Sequence, residues 1–310
     1  RAAVCRQGVC VLSAKCMAPI WGPRRNPPDF VRAFTKVTGA LRLMRGKCAP
    51  ERMWIQPVRP GGNRVIPWVE PRRQFALEHA GEIGHMAGMK AAVLVFPGSN
   101  CDRDLAVAFR AAGFQVDMVW HKDTDLPEGT DIVGVPGGFS FGDYLRCGAI
   151  AARSPITGAL KAHVEKGGYA IGICNGFQVL LETGLLPGAL MRNAGLKFIC
   201  KPVELEVATS DSDFTSGYEA GTRVTYPVAH HDGNYQATDA IRKELADADR
   251  IAFRYAADLN GSVDRIAGIL SKNRRVLGLM PHPERAADPA LGQADGAALF
   301  RALAGAALDA

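Results

Sequence analysis

No apolar run in this 310-residue chain approaches the roughly 20 residues needed to cross a bilayer. The first apolar stretch, around Val9, Val11 and Leu12, is too short for a signal-peptide core, and Lys15 ends it. Both absences predict a cytoplasmic protein with no membrane partner. None of the eight cysteines forms a CxxC pair, which removes support for a zinc ribbon or a thioredoxin-like redox site. The cysteines are therefore read as free thiols, one of them reactive. GxGxxG and GxxxxGK[ST] are also missing, so nothing marks a nucleotide-phosphate cradle.

Acidic residues are scarce in the first part of the chain and not in the second. Residues 1–88 hold 15 Lys+Arg and 5 Asp+Glu, a balance of +10; the remainder holds 22 and 26, a balance of −4. A basic patch for nucleic acid would have to lie in the first segment. That segment carries 9 of the 19 prolines, too closely spaced for a long helix, and three of the four tryptophans (Trp21, Trp54, Trp68). Three readings compete for it: translated upstream sequence with the start at Met86 or Met89, a natural basic tail, or a small domain. Gly84-His85-Met86 also resembles a cloning scar. The preferred reading is a poorly structured, non-functional extension over residues 1–88, followed by one catalytic domain over residues 89–310.

From Met89 the texture changes. Residues 91–96 are a continuous apolar run suited to a strand buried on both faces. Residues 102–113 read as an amphipathic helix with a glycine stop, 115–120 and 131–135 as strands, and 156–167 as a helix. Residues 169–173 form a short buried strand that runs at once into a helix from Asn175 to about Leu185. This alternation predicts an α/β fold around an open, mainly parallel sheet flanked by helices. After Asn193 the pattern loosens into extra strands at 198–208, 223–228, 251–255, 266–270 and 276–280, and a helix at 294–308 closes the chain.

Three motifs carry chemistry. In Gly172-Ile173-Cys174-Asn175-Gly176 a cysteine stands where a buried strand turns into a helix. Such an elbow strains the nucleophile's backbone, and flanking glycines remove side chains that would collide there. The helix N-terminus favours thiolate, the form that attacks carbonyl carbon. A small core cysteine is the bland alternative. In Pro281-His282-Pro283-Glu284, 108 residues beyond Cys174, two prolines hold a histidine in an extended loop. His282 suits the general base and acid, and Glu284 suits fixing its tautomer; a surface turn is the alternative. Pro136-Gly137-Gly138-Phe139-Ser140-Phe141-Gly142-Asp143 again follows a strand, and its paired glycines expose N–H groups suited to an oxyanion. Taken singly, a Gly-Gly after a strand also fits a tight turn.

Together these motifs fall at the ends of three strands of one sheet, and with them the chain resembles the class I (triad) glutamine amidotransferases. Further matching stretches are Pro97-Gly98-Ser99-Asn100-Cys101-Asp102, Arg192-Asn193, Asn234-Tyr235, Asn260-Gly261-Ser262 and Ile266-Ala267-Gly268-Ile269. The Gly137 to Ala149 run and the Asn260 to Ile269 region point to the branch serving purine biosynthesis. The resemblance covers residues 89 to about 307 and implies a flavodoxin-like sheet with additional antiparallel strands. It implies Cys174, His282 and Glu284 as the triad, the N–H groups of Gly138 and Asn175 as the oxyanion hole, and Gln178 as a glutamine-binding residue. It also implies L-glutamine as substrate, with no cofactor or metal in this subunit and no nucleic acid. A large synthetase subunit using ATP and magnesium and a small accessory subunit are the implied partners. In Ala229-His230-His231-Asp232-Gly233, many relatives read His-Gly-Glu-Gly, so no role is carried to His231 or Asp232. A metal site at His230-His231-Asp232 is disfavoured because adjacent side chains on a strand diverge. An α/β-hydrolase with a cysteine elbow is the competing enzyme class. Those enzymes place the acid before the histidine, whereas Glu284 follows His282.

Overall fold

A computed structural model describes residues 88–308, apart from Leu145, and a two-residue antiparallel ladder pairing Cys5–Arg6 with Val9–Cys10. The reading of residues 1–88 as an extension falls almost entirely outside the described residues.

The segment from residue 88 opens with β1 (Lys90–Val95), whose four central side chains are buried on both faces, as its unbroken apolar run requires. It is followed by α1 (Asp102–Ala111) and the edge strand β2 (Gln115–Trp120). Asp102 and Asp104 sit in the first turn of α1 and Arg110 in the last, the arrangement that suits the helix dipole. Next come β3 (Ile132–Val135), the short α2 (Cys147–Ala151), α3 (Ile156–Glu165), β4 (Tyr169–Ile173) and α4 (Asn175–Glu182). The second half contributes β5 (Ala189–Met191), β6 (Ile199–Val207), β7 (Arg223–His230), β8 (Asn234–Gln236), α5 (Asp239–Asp247), β9 (Ile251–Tyr255), β10 (Ile266–Leu270), β11 (Val276–Leu279) and α6 (Ala297–Leu308).

Nine strands form one sheet in the order β2-β1-β3-β4-β11-β10-β9-β6-β7. The first five are mutually parallel, and the remaining junctions are antiparallel. Seven of the nine therefore point the same way, with β10 and β6 reversed. The buried half reads as continuous apolar runs. In contrast, β7 alternates buried and half-buried positions, as a strand with one solvated face does. β5 and β8 make a separate two-stranded ladder.

Missing side chains let helices press on the sheet from both sides. A Cβ on Gly134 of β3 would meet Leu105 and Phe109 of α1, and one on Gly172 of β4 would meet Leu180 of α4. Gly134 pairs in register with Ile171, so Gly172 faces the opposite way and the two helices cover opposite faces. Phe109 packs edge-on against Phe300 of α6, extending the first layer. The carboxyl ends of β1, β3, β4 and β11 lie side by side, the edge where open α/β sheets hold their ligands. Among the described residues, no helix is long and apolar enough to cross a membrane.

Candidate functional site

Cys174 stands between β4 and α4 with φ 53° and ψ −108°, a conformation that L-residues rarely adopt. Both neighbouring strands hold it there. Its N–H donates to Leu279 O of β11 at 2.9 Å, and a Cβ on Gly176 would collide with the backbone Val135 O of β3. Only glycine at 176 lets α4 start so close to the adjacent strand. Cys174 is 4% exposed and its sulfur lies 3.8 Å from Ala229 O.

His282 comes after β11, and its N–H donates to Pro227 O of β7 at 2.9 Å. Its Nδ1 lies 2.7 Å from Glu284 Oε1, with both side chains essentially buried. Nε2 is buried too, with no hydrogen-bond partner among the described residues. Burial pulls the imidazole pKa down. The charge of the Glu284 carboxylate, which accepts from Nδ1, outweighs it together with the nearby Cys101 and Cys174 sulfurs, so the ring is held well above its ordinary value. Neither thiol reaches Nε2 at normal hydrogen-bond geometry. The site thus joins a histidine primed to carry a proton to a sulfur at a helix N-terminus.

The loop after β3 completes the arrangement. A Cβ on Gly137 would lie 2.8 Å from Cys174 Cβ and 3.0 Å from His282 Cε1, so this glycine forms the wall over the thiol. Gly137 O accepts from Ser99 Oγ at 2.7 Å and Gly138 O accepts from Asn100 N at 2.9 Å. In a trans peptide the N–H opposes the C=O, so the Gly138 N–H points away from Ser99. Asn175 is the first residue of α4, and its N–H precedes the intrahelical ladder.

Gln178 lies one turn into α4. Its Oε1 accepts from Cys147 Sγ at 2.9 Å and Asn175 Nδ2 at 3.1 Å, and its Nε2 donates to Asp232 O at 3.1 Å. The second Nε2 hydrogen is available to a ligand. Burial and Asp143 push the Cys147 thiol up to about 12, so it is an S–H donor.

His230, His231 and Asp232 part company, as strand geometry dictates. His230 is buried on Asn193, His231 packs edge-on against Phe198, and Asp232 pairs with Arg192 at 3.1 Å. Asn193 Nδ2 donates to the carbonyls of Lys197 and His230, so its Oδ1 is an acceptor and His230 Nδ1 carries the proton. Burial, with His282 nearby, lowers the His230 pKa to about 4.

Sequence reasoning gives no role to Ser99, Asn100 or Cys101, which anchor the glycine loop or abut His282. The only signal for them is the Pro97-Gly98-Ser99-Asn100-Cys101 stretch. The donor atoms of Cys101, His282 and Glu284 lie within 4.8 Å of one another. Burial raises the Cys101 pKa, and Glu284 Oε1 already occupies the imidazole Nδ1.

A CobB/CobQ-like glutamine amidotransferase domain matches residues 88–295. The phosphoribosylformylglycinamidine synthase subunit PurQ of Ruegeria sp. (strain TM1040) is 71% identical over 222 residues, 72% of this chain and 100% of the relative. PurQ of Rhodospirillum rubrum is 56% identical over 225 residues, covering 69% of this chain and 98% of that protein. Among solved structures, PurLQS from Thermotoga maritima matches with a TM-score of 0.65 and 43% identity, over 71% of this chain and 99% of that one. The chain belongs to the CobB/CobQ-like glutamine amidotransferase family.

Proposed function

We propose that this amidotransferase hydrolyses glutamine with Cys174, His282 and Glu284, and passes the ammonia to the synthetase subunit of phosphoribosylformylglycinamidine synthase. The observation carrying the residue assignment is the buried 2.7 Å His282–Glu284 pair beside a left-handed cysteine at a helix N-terminus. The assembly is supported by relatives named as PurQ subunits and by the likeness to PurLQS.

In this reading His282 takes the Cys174 thiol proton, the sulfur attacks the side-chain carboxamide carbon of glutamine, and the carbonyl π electrons move onto oxygen. The N–H groups of Gly138 and Asn175 stabilise that oxyanion. As the C–N bond breaks, His282 delivers a proton to the leaving nitrogen, giving ammonia and a glutamyl thioester. His282 then takes a proton from water, which attacks the thioester; glutamate leaves and the thiol is restored. Glu284 holds the Nδ1 proton throughout and stabilises the imidazolium. Gln178 binds glutamine through its remaining Nε2 hydrogen.

Ammonia released to bulk water is protonated and diluted, so the chemistry favours a synthetase docked over the site. In our reading that large subunit supplies the ATP and magnesium chemistry and the small accessory subunit joins it, with no cofactor or metal held here. The complex converts formylglycinamide ribonucleotide to its amidine in the cytoplasm during de novo purine biosynthesis. The test is an assay of glutamine hydrolysis and amidine formation with and without the synthetase subunits, alongside an alkylating glutamine analogue. Glutamine-dependent amidine formation with modification at Cys174 supports the reading. Modification elsewhere, or no amidine in the full complex, refutes it.

A further inference from the structure

The loop between β3 and α2 is held in an improbable conformation. Gly138 (φ 89°), Phe139 (62°), Phe141 (52°), Gly142 (78°), Asp143 (53°) and Arg146 (60°) are all left-handed, and four of them carry side chains. Such a run persists only where surrounding contacts over-determine it. On one side it is tied to the segment after β1, through Gly138 O to Asn100 N and Phe141 N to Pro97 O. On the other side it must be tied to the elbow.

The buried tie is the Asn175 side chain. Its Oδ1 accepts from Ser140 N at 3.2 Å, and its Nδ2 faces Asp143 Oδ1 at 2.9 Å, Gln178 Oε1 at 3.1 Å and Cys147 Sγ at 3.1 Å. Chemistry fixes the amide orientation, because a flip would set oxygen against carboxylate and N–H against N–H. Asn175 is 2% exposed, so these contacts form away from water. A second tie, Arg146 to Glu182 at 3.0 Å, joins the same loop to the same helix, but the Arg146 side chain is 69% exposed.

We propose that the Asn175 side chain is a positioning residue for glutamine hydrolysis, clamping the left-handed loop to the elbow so that the Gly138 and Asn175 amides converge on one oxyanion. The inference rests on the triad and oxyanion assignment above and deepens it. The backbone N–H of Asn175 belongs to any residue at this position, whereas the clamp belongs to asparagine. Alanine keeps the amide and loses the clamp.

The test uses the full chain reconstituted with its synthetase partners. Asn175→Ala is expected to lower kcat for glutamine on the order of 100-fold, the scale of a lost oxyanion donor, with KM changed less than about threefold. Alkylation of Cys174 by iodoacetamide, monitored on its own peptide, forms no oxyanion and should keep its rate within about twofold. Asn175→Asp sets carboxylate against carboxylate and should be at least as slow. Adding Asp143→Asn reverses donor and acceptor and should recover about tenfold. Arg146→Ala, which cuts the exposed tie, should leave kcat unchanged. Wild-type kcat in Asn175→Ala overturns the clamp. So does a parallel loss of alkylation, which marks simple collapse, or absence of recovery in the double variant. Cys174→Ala runs alongside: activity retained there sinks the underlying assignment, whereas an inactive Cys174→Ala beside a fully active Asn175→Ala sinks the clamp alone.

Discussion

His282 Nδ1 and Glu284 Oε1 stand 2.7 Å apart with both side chains buried, and Glu284 keeps the imidazolium favoured against the burial that opposes it. A folded-state pKa above the ordinary 6.5 means the pair's stabilisation is complete below about pH 6.5. It is lost as pH rises through the folded value. Glu284→Gln should cost about 10²–10⁴ in kcat and shift the basic limb of kcat/KM toward lower pH. A pH–rate profile with an unmoved basic limb would show that Glu284 does not tune His282.

His230 titrates in the opposite sense. Its pKa of about 4 lies below the ordinary 6.5, so the unfolded chain binds the proton that the folded one refuses. Stability should therefore fall between about pH 6.5 and pH 4, by about 3 kcal/mol from this residue. Urea unfolding across that range should show the loss, and His230→Gln should flatten it. An unchanged acid limb in that variant would mean other groups cause it.

Two glycines at the elbow separate activity from folding. A Cβ on Gly176 would run into the backbone Val135 O, which cannot yield, so Gly176→Ala should fail to give soluble protein. A Cβ on Gly137 would meet Cys174 Cβ at 2.8 Å and, at 3.0 Å each, His282 Cε1 and the Ile173 carbonyl oxygen, so the glycine loop must back away from the thiol by a few tenths of an ångström. Gly137→Ala should fold yet lose on the order of 100-fold in kcat through misplaced reacting groups. Circular dichroism and glutaminase rates on both variants check this; a fully active Gly137→Ala contradicts it.

A chain beginning at Met89 should fold and hydrolyse glutamine as the full chain does. Residues 88–295 carry the family match, and the 71%-identical relative is covered along its whole length by 222 residues of this chain. Thermal unfolding and kcat of the two chains give the comparison, and loss of soluble protein on truncation would make residues 1–88 structural.

Much of the fold is legible because the buried strands are spelled as apolar runs with no competing period. Gln115–Trp120, Tyr169–Ile173, Ile251–Tyr255 and Ile266–Leu270 fall where the sequence predicts strands, while the last helix starts at Ala297, three residues after the predicted start. Short elements are harder. Cys147–Ala151 is five residues long, too few for an amphipathic period, and the Ala189–Met191 ladder forms only because Asn234–Gln236 folds back beside it. α5 escapes the sequence reading although the Thr238 side chain caps it by accepting from Ile241 N, a signal that Thr238-Asp239 carries. The positions of Cys174, His282 and Glu284 come from strand ends. The Asn175 clamp does not, because it depends on which left-handed turns bring Ser140 and Asp143 to that side chain.

The central claim is that Cys174 makes ammonia which a partner consumes, and Cys174→Ala in the reconstituted complex tests it most directly. Amidine synthesis driven by glutamine should vanish, while synthesis driven by added ammonium salt should proceed at the wild-type rate. Glutamine-driven synthesis persisting in that variant would contradict the account.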